Sequence, residues 1–280
     1  MKGFWNDWSW QEYTLILIVG TFLFGEMSLF SQFSSLPSPV YGGDVYYHFG
    51  VINHIANGGS PLMNSQFLGE YAHYPWIFHL IVAMTSVVMS ISTLTAAIYI
   101  PLLTTLLGAI ISWQLGKRVF ESKTFALLFA IYWTTWQIPH AAASPFAELV
   151  IWPSFVLLAT YCKGIWSRIL AGIALGLCGL AQVVTWIGAF MYLGLLMISR
   201  ITFAHMKNEE GKWKLISSGL KDTIISQIKW MLPIVIIGLP IGLLYWGPGI
   251  FIYHGVTPNR WADYVAAGDA VTFEAVLGMI

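Results

Sequence analysis

The side chains best suited to chemistry crowd into one polar stretch, GGDVYYHFGVINHIANGGSPLMNSQFLGEYAHYPWIFH, running from Gly42 to His79. Asp44 offers a carboxylate, and His48 follows four residues later, on the same face if the segment is helical. A carboxylate and an imidazole so placed can share a proton, as in general acid–base catalysis, or share a metal ion. Glu70, His73 and His79 lie at the far end, and Tyr46, Tyr47, Tyr71 and Tyr74 offer faces for stacking. Each has a plainer role open to it. Asp44 after two glycines suits a helix N-cap, His48 and His54 suit an interface, Glu70 and His73 suit a solvated turn, and His79 suits a helix contact. Capping and chemistry can coexist at Asp44.

The elements that would position these groups follow from pattern. From Asp44 to Asn57, Val45, Phe49, Ile52 and Ala56 recur at three- and four-residue spacing, which predicts an amphipathic helix stopped by Gly58, Gly59 and Pro61. Its length and polar face suit a helix lying along a membrane surface. The preceding SQFSSLPSPVYGG is not regular helix.

The rest of the chain is made for lipid. Its 280 residues are 57% hydrophobic and only 9% charged, against about 25% charged in soluble domains. The predicted fold class is therefore all-α, a polytopic transmembrane bundle of about 7–9 spans, over 1–280 as one transmembrane domain. Candidate spans are Tyr13–Phe30, residues 76–116 with a break near Ser90–Thr93 and a proline at 101, 124–138, 146–162, 169–198 and 230–252. The stretch 169–198 reads either as two short helices or as one long tilted one. Its glycines Gly172, Gly176 and Gly179 predict close helix contact. The terminal FEAVLGMI suggests that a further helix follows.

Charge placement predicts sidedness. Of 13 Lys and Arg residues, 11 fall in three clusters, 117–123, 163–168 and 200–229, and none lies between residues 3 and 116. The positive-inside rule puts the clusters, including a loop over 200–229, in the cytoplasm and the loop 31–75 outside. A span count that brings residue 75 from outside to residue 117 inside must be odd, so 76–92 is expected to be re-entrant or surface-lying. Zero net charge gives no reason to expect nucleic acid. Cys162 and Cys178 lie in apolar sequence and predict packing rather than a disulfide.

The Gly-Asp followed by Tyr-His, the short helix ending in Asn-Gly-Gly-Ser-Pro, and the Tyr-Pro with a histidine entering the next span resemble the first luminal loop of the C-type membrane glycosyltransferases. That superfamily includes oligosaccharyltransferase catalytic subunits and protein mannosyltransferases. The resemblance covers residues 13–92 and weakens over 93–200. It implies transfer of a sugar from a polyprenyl-phosphate donor at the outer face of a prokaryotic cell membrane, with Asp44 as base or metal ligand and His48 and Glu148 as helpers. A divalent ion (Mg, Mn or Zn) held by Asp44 and His48 is expected. The donor phosphate needs a cation, and 31–75 has none. Arg260, the basic residue assigned to the outside, is the expected phosphate contact, with Tyr47, His79, Glu70 and His73 around the substrate. The alternatives are a catalytically inactive subunit of a membrane assembly, with partner membrane subunits, or a transporter or flippase of a polar lipid-linked substrate.

Overall fold

The computed structural model describes residues 8–30, 43–65, 71–72, 74–136, 143–209, 212–215 and 218–252. Most of these are helical, with one short hairpin and connecting turns. The order is α1 (Trp10–Phe30), α2 (Gly43–Ala56), α3 (Ile77–Met89), α4 (Thr93–Phe120), α5 (Lys123–Trp136) and α6 (Ala143–Phe146). A π-helical turn (Ala147–Ile151) then leads into α7 (Trp152–Tyr161), α8 (Ile165–Ala181) and α9 (Val183–His205). Strands β1 (Met206–Glu209) and β2 (Lys212–Leu215) precede α10 (Leu220–Phe251). Among the described residues, Thr93–Phe120, Ser144–Tyr161, Val183–His205 and Leu220–Phe251 are long and apolar enough to cross a membrane.

Several boundaries differ from the pattern reading. The break expected near Ser90–Thr93 is present as a turn between α3 and α4, and α4 runs on through Pro101. Ser90 adopts a left-handed φ of 53°, and the Ile91 N–H donates to Ser86 O at 3.0 Å. Ser92 then caps α4, its Oγ accepting from the Thr95 N–H at 3.0 Å. Pro101 costs α4 one backbone bond, yet the helix continues, as membrane helices allow when neighbours enclose the freed carbonyl. At α3 only 13 residues remain, about 20 Å of helix.

The uncharged stretch 169–198 is two helices. Gln182, in an extended conformation (φ −161°, ψ 135°), breaks the chain, and α9 folds back along α8. The segment 200–229, expected as a loop, is largely ordered: α9 runs to His205, the hairpin pairs Met206 with Leu215, and α10 begins at Leu220. Its Lys, Asp and Gln residues are acceptable helix formers once outside lipid, so charge marked the side and not the end of the helix.

Three of the four apolar clusters among the described residues hold most of the helices. Leu15 and Val19 of α1 pack with Ala109 and Trp113 of α4 and Ala126, Leu127 and Ala130 of α5. Phe155 and Ala159 of α7, Ala171 and Leu175 of α8, Leu193 of α9 and Ile234 of α10 form the second. Within it α8 and α10 run parallel at backbone distance. A Cβ added at Gly172 would lie 2.9 Å from Ile234 O, and one at Gly176 2.9 Å from Gly238 O, so the predicted small-residue face is the contact itself.

The third cluster joins Ile52 of α2, Phe78, Val82 and Ala83 of α3, and Ala96 and Ala97 of α4, with Phe49, Ile55 and Ala56 beside it. It sits at the start of α4, where Thr93 Oγ1 donates to Asn53 Oδ1 at 2.6 Å. The other end of α4 meets the start of α1: Lys123 Nζ lies 3.2 Å from Glu12 Oε1. The polar α2–α3 layer and the Lys117–Lys123 cluster therefore occupy opposite ends of the bundle.

Candidate functional site

The third cluster presents the site. The apolar face of α2 is turned to α3 and α4, and His48, one residue before Phe49, goes in with it. His48 is 4% exposed and His79 has no exposed surface. Their rings stack at 5.0 Å, and His48 Nδ1 lies 2.7 Å from His79 Nε2. At that separation one nitrogen donates and the other accepts.

Either nitrogen can be the donor, according to the tautomers the two rings take. Burial first, and then the His48 ring, push the His79 pKa down from 6.5 to about 3, so this imidazole is neutral at physiological pH.

Aromatic rings close the pair in. Tyr74 lies 5.1 Å from the His48 ring and 5.4 Å from Tyr47, and Phe78 stands edge-on to His79 at 5.8 Å. Beside them the chain at 71–72 is pinned to α10. Tyr245 Oη donates to Ala72 O at 2.7 Å, and Tyr71 Oη donates in return to Tyr245 O. Trp76, the residue before α3, packs with this group, and its indole Nε1 is buried without a partner among the described residues.

Of the expected site residues, His48, His79 and Tyr47 come together. Asp44 lies in the first turn of α2, one helical turn before His48, and its side chain is outside the described residues. Glu70, His73 and Arg260 also lie outside them. Glu148 sits, half-buried, in the π-helical turn, where its carbonyl accepts from Trp133 Nε1 at 3.1 Å. Phe146, just before that turn, packs on Phe78 at 5.9 Å, which brings this segment to the wall of the site. Sequence reading missed Trp76 and Tyr245. The signal for Tyr245 was a hydroxyl near the end of an apolar run, a group that must find a partner when buried.

Among the described residues no three His, Cys, Asp or Glu side chains gather as metal ligands. The histidine pair does not fit one ion either. Two nitrogens bound at about 2.0–2.1 Å in a tetrahedral site stand well over 3 Å apart, whereas these are hydrogen-bonded at 2.7 Å.

Long apolar helices around a buried polar pair define a helical membrane protein. No family profile matches the chain, and no solved structure does. It does share 32% identity over 114 residues with the uncharacterized protein MJ1080 of Methanocaldococcus jannaschii, across 41% of this chain and 84% of the relative. The chain belongs to the family of that archaeal protein, whose name carries no activity.

Proposed function

We propose that the protein is a membrane glycosyltransferase that moves a sugar from a polyprenyl-phosphate donor to an acceptor at the extracytoplasmic face. The observation that carries this reading is the buried, hydrogen-bonded His48–His79 pair one turn along α2 from Asp44. Asp44 is the general base, drawing the proton from the acceptor nucleophile as it attacks the anomeric carbon, while the bond from that carbon to the phosphate oxygen breaks and the polyprenyl phosphate leaves with the electron pair. His48 Nε2 receives that proton from Asp44, and His79, held by α3, fixes the tautomer of His48. Tyr47 and Tyr74 provide stacking faces for the sugar.

On this reading α4, Ser144–Tyr161, α9 and α10 span together with α1, α5 and α8, the last two assigned by the alternation of the basic clusters and not by length. α2 and α3 cover the outer end without crossing, which satisfies the odd count between residues 75 and 117. Arg260 supplies the phosphate contact, and Glu148 supports the wall against α3. The ion expected at Asp44 and His48 is assigned no step here, the Asp44 side chain lying outside the described residues.

The test is transfer from a lipid-linked sugar donor in membranes containing Asp44→Asn, which keeps size and capping but removes the charge. Loss of transfer at wild-type folded yield is expected. Unchanged transfer would overturn the role of Asp44, and a fall in folded yield alone would reduce it to a cap.

A further inference from the structure

The opposite end of the bundle carries a second polar feature. A cavity of about 720 Å³ opens between the start of α8, the end of α9 and the start of α10, lined by Arg168, Arg200, Asp222, Gln227, Lys229 and Trp230 among others. Three cations face one carboxylate there, and none of the three has a carboxylate within ion-pair distance among the described residues. Arg200 is built in. Its guanidinium lies 4.0 Å over the Trp230 ring, and Nη2 reaches the Ala159 and Thr160 carbonyls at 3.3 and 3.4 Å. Arg168 is steadied by its Nε bond to Gly164 O at 3.4 Å. Gln227 Oε1 is buried with no partner among the described residues.

The cavity calls for an anion, and a phosphate fits donors of this kind. Gln227 adds an acceptor for a hydroxyl on the same ligand. The neighbouring surface tells a lipid from a soluble anion. From the cavity wall, Ile225, Ile228, Leu232, Ile236 and Leu239 run down α10 at three- and four-residue spacing, all exposed. A soluble phosphate has no use for that apolar track, whereas an acyl chain lies along it. Basic pockets between helices at the cytoplasmic side are suited to anionic headgroups in this way.

We propose that this cavity binds the headgroup of an acidic phospholipid bearing a hydroxyl, with phosphatidylglycerol as the type. Arg168, Arg200 and Lys229 hold the phosphate, Gln227 takes the headgroup hydroxyl, and the acyl chain follows α10. The site stands apart from the α2–α3 layer and does not depend on the function proposed for it.

Native mass spectrometry and thermal melting of the purified full chain test this, with phosphatidylglycerol, phosphatidylcholine and inorganic phosphate as separate probes. Phosphatidylglycerol is expected to be retained and to raise the melting temperature, with phosphatidylcholine and inorganic phosphate doing neither. The pair Arg168→Gln and Lys229→Gln should weaken retention about fivefold for each cation removed, and Lys221→Gln, also basic but outside the cavity, should leave it unchanged. A double variant that melts like wild type in phosphatidylcholine shows that the loss is not misfolding. Stabilisation by inorganic phosphate alone, wild-type retention in the double variant, or equal loss in Lys221→Gln would each overturn the proposal.

Discussion

Replacing His79 with leucine removes one half of the buried pair while keeping apolar bulk in a site with no exposed surface. His48 Nδ1, 2.7 Å from His79 Nε2 in the native protein, loses that partner. A buried polar group so stranded costs about 1–3 kcal/mol. His48→Phe strands His79 Nε2 in turn at a similar cost. The double variant leaves neither nitrogen behind, so it should be less damaged than the two single losses added together, by a coupling of about 1–2 kcal/mol. Thermal unfolding in detergent, followed by tryptophan fluorescence, reads this, since 1 kcal/mol moves the midpoint by roughly 2–4 °C. Additive losses, with coupling below about 0.5 kcal/mol, would refute the hydrogen bond and leave two rings that only stack.

The same pair makes acid destabilising. His79 titrates near 3 in the folded protein and near 6.5 unfolded, so the unfolded chain binds the extra proton between those values. Stability should rise with pH through that window and be complete above about 6.5; from pH 7 to pH 5 the loss is about 2 kcal/mol. His79→Gln should flatten the melting-temperature profile over that range, and an equally steep profile in the variant would assign the effect elsewhere. At the other contact of interest, Gly176→Val adds a branched side chain where even a Cβ would meet Gly238 O at 2.9 Å. Overpacking there should cost about 1–3 kcal/mol or more, read as a lower midpoint, with Gly194→Val, which has open space around it, as the neutral comparison.

How far the sequence foretold this depends on what each signal measures. Periodicity found α2 to within a residue, because Phe49, Ile52 and Ala56 had one neighbouring surface to satisfy. Glycine spacing found the α8–α10 contact, because only backbone can come so close. The parity of charge across residues 75–117 foretold a half-length segment, and α3 is one. Boundaries beyond the lipid were harder: hydropathy stops at residue 230, while the α10 hydrogen-bond ladder starts at Leu220 and is indifferent to polarity. At the site, the pairing of His48 with His79 joins residues 31 apart in sequence, and no local spacing encodes that. Trp76 and Tyr245 escaped because aromatic residues in an apolar chain read first as core, and only the fold shows which hydroxyl or indole N–H turns inward.

The π-helical turn at Ala147–Ile151 carries a consequence for how the molecule divides its labour. A π turn accommodates one residue more than the α ladder would, and each residue of an α-helix advances by about 100°. The segment above it is thereby rotated relative to the one below. Phe146 can address Phe78 beside the histidine pair, while Phe155 and Ala159 address α8 and α9. The extra residue thus shifts by about 100° the face that Phe155 and Ala159 present relative to Phe146.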